Sequence, residues 1–156
     1  MAALTGFRPT KAYGRVPGVN VLPQTFDLPQ KANSTMYAGG LAMVVNGFVQ
    51  EAVSGQAGTV VGKVATGNGG VTSYVAGASA GAGQNLVTVE QGCFEWDNPD
   101  PLTFANFGAK VYVSDDHSVT ATAGSNAAAG YFVGLDSATG TQAMVITILG
   151  AFGIHT

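Results

Sequence analysis

Gly92-Cys93-Phe94-Glu95-Trp96-Asp97-Asn98, followed by Ala109-Lys110-Val111-Tyr112-Val113-Ser114-Asp115-Asp116-His117-Ser118-Val119-Thr120, is the part of the chain whose reading decides the fold. Phe94 and Trp96 are two residues apart and so share one face of a strand. Leu86-Val87-Thr88-Val89-Glu90 alternates in the same way just before them. Asn98-Pro99-Asp100-Pro101 must then be a turn, because two prolines cannot sit in a hydrogen-bonded ladder. Residues 102–107 read as one short helical turn. In the second stretch Val111 and Val113 take one face of a strand, and Lys110, Tyr112 and Ser114 the other. Ser114 to Ser118 makes the turn, and Val119-Thr120-Ala121-Thr122 returns as the second arm of a hairpin.

The same grammar extends to both sides. Leu41-Ala42-Met43-Val44-Val45 and Gly47-Phe48-Val49-Gln50-Glu51-Ala52-Val53 are short apolar runs divided at Asn46-Gly47. That dipeptide tolerates the two positive φ angles of a type I′ hairpin turn. Strand-like runs follow at residues 59–65, 71–75, 131–135 and 143–149, separated by glycine-rich turns. Residues 76–84 are almost wholly Gly, Ala and Ser, and their glycines favour a loop over a weak helix. Strands recurring about every 10 residues indicate a closed or two-layer β fold.

Residues 1–35 read differently. They hold four of the six prolines, Pro9, Pro17, Pro23 and Pro29, each of which fixes φ and removes a backbone donor. An extended arm is expected over residues 1–35 and a β domain over 36–156. Phe7, Tyr13, Val19, Val21, Leu22 and Phe26 give the arm apolar contacts with which to order on a neighbour. Arg8, Lys11, Arg15 and Lys31 face only Asp27 within residues 1–31, whereas the remainder sets Lys63 and Lys110 against eight carboxylates. This basic head on an acidic body points to a partner for the head. Four cations spread over some 30 residues are too sparse for a nucleic-acid arm.

Composition restricts the function classes. Charged residues are 10% of 156, against about 25% in an ordinary soluble domain. A surface so poor in charge invites coverage by other subunits. No run of 18 apolar residues exists, so no membrane-spanning helix is expected, and no apolar segment follows the first charges as a secretory signal requires. The single cysteine, Cys93, excludes an internal disulfide framework and reads as a small buried apolar residue in a cytosolic product.

Catalytic signals are weak. Gly77-Ala78-Ser79-Ala80-Gly81 matches the G-x-S-x-G elbow, but in Gly/Ala-rich sequence, with only His117 and His155 as candidate bases. Neither Gly67–Gly70 nor Gly77–Gly83 continues into the Lys-Ser/Thr of a phosphate loop. Asp115-Asp116-His117 in one tight turn cannot enclose a cation without other ligands, and a solvated hairpin tip is expected instead. Neither an enzyme, a cofactor nor a metal is expected. Of the aromatic group Phe94, Trp96, Phe104, Phe107 and Tyr112, Phe94 and one or two others belong to the core. Trp96, beside Asp97-Asn98-Pro99, and Tyr112 are candidates for a subunit contact.

Gly92-Cys93-Phe94-Glu95-Trp96, Asn98, Gly108-Ala109-Lys110-Val111-Tyr112-Val113-Ser114-Asp115-Asp116, Ser118-Val119 and Ala129-Gly130-Tyr131-Phe132-Val133-Gly134-Leu135-Asp136 carry a resemblance. Over residues 86–149 the chain resembles the head decoration, or cement, proteins of tailed bacteriophages. The long Pro-rich N-terminus and the Gly/Ala-rich middle depart from the family's short members. The resemblance implies a structural virion protein, made in the host cytoplasm. It would bind the outer surface of the head and stabilise contacts between major capsid protein subunits, as a homotrimer or else a homodimer. A tail or fibre component, structural or receptor-binding, is the alternative. The expected fold is mainly β, a single barrel- or sandwich-like domain of β-tulip or jelly-roll type. The expected contacts with capsid or neighbouring subunits are Phe7, Arg8, Lys11, Tyr13, Arg15, Phe26, Trp96 and Tyr112. No nucleic acid and no membrane is expected as partner.

Overall fold

The structure, a computed structural model, describes residues 6, 24–77, 82–136 and 140–147. Its elements are β1 (Gln24–Pro29), β2 (Ser34–Tyr37), β3 (Leu41–Val45), β4 (Phe48–Glu51), β5 (Thr59–Val64), β6 (Ser73–Ala76) and β7 (Leu86–Asp97). A 3-10 turn at Phe104–Asn106 follows, then β8 (Lys110–Val113), β9 (Val119–Thr120), β10 (Ala128–Leu135) and β11 (Gln142–Thr147). No α-helix occurs among the described residues. The main sheet runs β4-β3-β5-β7-β11-β10-β8-β9, with β1 also on β7, and its strand pairs are antiparallel. It curls into a half-barrel. β2 and β6 form a separate two-stranded ribbon.

The organising element is β7. The two runs read from the sequence on either side of Gln91 are one continuous strand of 12 residues. Its first half lies between two strands, because Glu90 is opposite both Thr25 of β1 and Lys63 of β5. Its second half pairs along β11, from Gly92↔Thr147 to Asp97↔Gln142. Side chains alternate across a sheet, so odd and even residues of β7 face opposite ways. Val87 and Val89 bury themselves with Met36, Ala42, Val49, Val61 and Val64 on one side. Phe94 and Trp96 are buried on the other, with Leu41, Met43, Val111, Val113, Phe132 and Val145. One strand thus supplies two cores, and the buried face changes near Gly92. Strand β3 does the same within five residues, Leu41 and Met43 going to one core and Ala42 to the other.

Local sequence accounts for most of the edges. Val45 is opposite Phe48 across Asn46-Gly47, whose φ values of 52° and 85° make the two-residue type I′ turn. Close strand approach requires glycine at two bulges. Gly62 in β5 has φ 139°, and a Cβ there would meet the Glu90 carbonyl oxygen. Gly130 in β10 has φ 154°, and a Cβ there would meet the Ile146 carbonyl oxygen.

Residues 24–35 correct the expected boundary. The prolines predict a stiffened arm here, yet β1 pairs over all six residues with Leu86–Gln91. Pro29 is tolerated because it is the last residue of the strand, where a missing donor costs the ladder least. Gln30 then enters the interior, its Nε2 donating to the Ser34 and Tyr74 carbonyls at 3.1 and 3.0 Å. Tyr74 is opposite Met36, so this one side chain holds β1 to the β2–β6 ribbon. The β domain therefore begins no later than Gln24. Phe7, Arg8, Lys11, Tyr13 and Arg15 lie outside the described residues.

Candidate functional site: an outer apolar face and a buried acidic turn

The turn that joins β8 to β9 is built from its own polar residues. Asp115 Oδ1 accepts from the His117 backbone N–H at 3.0 Å and from Ser118 Oγ at 2.6 Å. The Ser114 N–H closes the turn on the Ser118 carbonyl at 3.0 Å. Two longer-range bonds then clamp it to the body: Leu41 N–H donates to the Asp116 carbonyl at 2.6 Å, and Asp97 N–H to the His117 carbonyl at 3.0 Å. Held between β3 and β7 in this way, Asp115 and Asp116 are 7% and 3% exposed. The solvated tip expected from the sequence is a buried acidic turn. Local sequence gave no hint of this, since the burial comes from Leu41 and Asp97, remote in the chain.

His117 lies against both carboxylates. Its Nδ1 lies 2.9 Å from Asp116 Oδ1 and 3.1 Å from Asp115 Oδ1, and its Nε2 lies 4.0 Å from Asp97 Oδ2. Asp115 Oδ2 is buried and has no hydrogen-bond partner, and the same is true of Glu51 Oε2 at the end of β4. Burial holds the Glu51 carboxyl above its ordinary value of 4.5, and the Asp116 charge adds to the effect against a backbone hydrogen bond and Lys31.

The second feature is apolar. Phe104 and Phe107, on the 3-10 turn, are 68% and 66% exposed. Gly108 N–H donates to the Phe132 carbonyl at 2.8 Å, which ties this turn to β10. Beside it Gly108, Tyr131, Val133 and Ile146 line a shallow cleft on the outer face of β10 and β11. Tyr112, half-buried, is on the outward face of neighbouring β8. Phe26 is exposed on β1, on the opposite side of β7 from β5.

Trp96 requires a correction. It has no exposed surface and packs edge-on against Phe94, with ring centroids 6.2 Å apart and planes at 69°. Its even position on β7 turns it into the core with Phe94, so it is not available to a subunit contact. Among the described residues the most exposed aromatics are instead Phe104 and Phe107, which a short turn after Pro99 and Pro101 leaves uncovered. The signal for them was their place in an element too short to have a buried side.

Chemistry finds little else. Cys93 is half-buried, and burial, aided by the Glu95 charge, pushes its thiol up to about 11. It is less buried than the sequence suggested, and the raised thiol disfavours the nucleophilic thiolate. Ser79 and His155, the other members of the G-x-S-x-G reading, lie outside the described residues. No helix among the described residues is long and apolar enough to cross a membrane. No family model, no curated protein and no solved structure matches this chain.

Proposed function

We propose that this chain is a capsid decoration protein of a tailed bacteriophage, lying on the outer surface of the head and bridging major capsid protein subunits. The observation that carries the reading is the pair of exposed phenylalanines, Phe104 and Phe107, beside an apolar cleft on a chain with 10% charged residues. Large apolar side chains grouped on a surface poor in charge favour coverage by another protein. The resemblance of residues 86–149 to the cement family supplies the identity of that protein. The half-barrel belongs, in this reading, to the β-tulip or jelly-roll class. Its work is mechanical rather than catalytic: each copy adds contact area across a joint between capsid subunits, and many copies act together. Self-association as a trimer fits the local threefold positions of a capsid lattice. The residues before Gln24 carry Arg8, Lys11 and Arg15 with no carboxylate, and they serve as the attachment arm.

The test uses heads that lack the protein. Purified chain is mixed with them, and cosedimentation and resistance of the packaged heads to heat or chelator are measured. Wild-type chain is expected to cosediment and to protect, and Phe104→Ser with Phe107→Ser to lose both effects while remaining folded. Cosedimentation equal to wild type by the double variant would remove the apolar face from the mechanism. Label found at the tail rather than the head would favour a tail or fibre component.

A further inference from the structure

The buried turn between β8 and β9 has one property that hydrogen bonding within the protein leaves unexplained. Asp115 is more than nine-tenths buried, and its two carboxylate oxygens differ. Oδ1 is fully engaged by Ser118 Oγ, the His117 N–H and His117 Nδ1, at 2.6, 3.0 and 3.1 Å. Oδ2 is out of contact with solvent and has no donor. A buried polar oxygen left without a donor bears its desolvation cost with nothing to offset it. A residue so placed implies a ligand that completes it.

Asp115, Asp116 and His117 offer three ligand atoms that lie within 4.8 Å of one another. One ion could therefore be shared by His117 Nδ1, an oxygen of Asp116 and the Asp115 oxygen that has no donor. Their supports are those of a metal site as well. Ser118 and the His117 N–H fix the Asp115 carboxylate from behind, through Oδ1. Asp97 Oδ2 lies on the Nε2 side of the imidazole, where an outer carboxylate orients a histidine that ligates through its other nitrogen. Asp97 is itself fixed in place by its N–H bond to the His117 carbonyl.

We propose that Asp115, Asp116 and His117 form a binding site for a divalent transition-metal cation that accepts mixed N/O ligands, Zn²⁺ foremost, with Mn²⁺ as the harder comparison. Two carboxylates and one imidazole suit such an ion better than Mg²⁺ or Ca²⁺, which prefer all-oxygen shells. On binding, the ion takes the Nδ1 lone pair, and the ring carries its proton on Nε2, towards Asp97. The ion cross-links β3 to β7 through the turn that both clamp, so its effect is on the stability of the domain. The site stands independently of the capsid reading.

The experiment uses full-length chain, stripped with chelator and dialysed free of it, titrated with ZnCl₂ and separately with MnCl₂ by calorimetry, with thermal melts alongside. One saturable site per chain and a raised melting temperature are expected. Asp115→Asn keeps an oxygen for Ser118 and the His117 N–H and replaces the orphan oxygen by an amide. It should fold, and bind at least tenfold more weakly. His117→Gln should do the same, and His155→Ala should bind as wild type. If Asp115→Asn fails to fold by circular dichroism, Asp116→Asn takes its place. Absence of saturable binding by the wild-type chain would overturn the proposal, as would affinity unchanged in the Asp115 (or substituting Asp116) and His117 variants.

Discussion

Gly62→Ala is expected to be among the most damaging single-methyl changes in this chain. Gly62 lies at the bulge of β5, with φ 139°, a conformation that L side chains rarely adopt. Holding alanine there costs about 1–3 kcal/mol in backbone strain. The added Cβ would also press on the Glu90 carbonyl oxygen and come within 2.9 Å of the Glu90 carbonyl carbon. Both are backbone atoms and cannot swing aside, so β5 must part from β7 where Lys63 is opposite Glu90 and Val64 opposite Val89. Weakening one or two ladder hydrogen bonds adds about 1 kcal/mol each. The total is about 2–5 kcal/mol, a large share of the roughly 5–15 kcal/mol that holds a domain together. For a chain of this size it corresponds to a melting temperature lower by about 6–15 °C. Urea melts followed through Trp96, the sole tryptophan and fully buried, read this directly. Gly69→Ala is the control: φ is 76°, nothing lies within 4 Å of its Cβ position, and only about 1–2 kcal/mol of backbone cost remains. If the two variants melt together, close approach of β5 to β7 is not what requires glycine at 62.

Removing residues 1–23 should leave a cooperatively folding β domain by circular dichroism, whereas removal through residue 30 should not, since it takes β1 from β7 and Gln30 from the interior. Lys63→Met should cost about 1–2 kcal/mol in urea melts. Lys63 Nζ is 2.9 Å from Glu90 and 5.1 Å from the Phe94 ring centroid, so the change removes a part-buried ion pair and a cation–π interaction at once. Alkylation of Cys93 at pH 8 should be about 100-fold slower in native protein than in urea, as a thiol moved from 9.0 to about 11 forfeits two decades of thiolate; equal rates would contradict its burial. Glu51 is raised in the folded state, so the native chain binds its proton more tightly than the unfolded chain. Its contribution to stability is then greatest at low pH and falls as pH rises from 4.5 through the raised value. Glu51→Gln should flatten that part of the pH–stability curve, and an unchanged curve would refute the assignment.

The parts of the fold that were legible in the sequence were those fixed by neighbours in the chain. Asn46-Gly47 announced its hairpin because the turn's φ values are a property of two residues. Phe94 and Trp96 announced a shared face through spacing alone, and Val111 with Val113 did likewise. What remained hidden depended on distant partners. The prolines around β1 argued for an arm, and only the register against Leu86–Gln91 shows that Pro29 falls harmlessly at a strand end. Asp115 and Asp116 read as solvated because a tight hairpin turn favours Asp for its backbone-bonding side chain, while their burial is imposed by Leu41 and Asp97. Trp96 read as a contact residue because its neighbours are polar, although its parity on β7 directs it inward. Phe104 and Phe107 have the opposite history, aromatic residues left outside by a turn too short to cover them.

The proposal that this chain decorates a phage head is tested most directly by the protein content of gradient-purified particles from the lysate in which the chain is expressed, by quantitative mass spectrometry against the major capsid protein. The expected result is a fixed ratio on the order of one copy per capsid subunit, retained in tailless heads. Recovery of the chain only from the soluble lysate, with none in the particles, would contradict it.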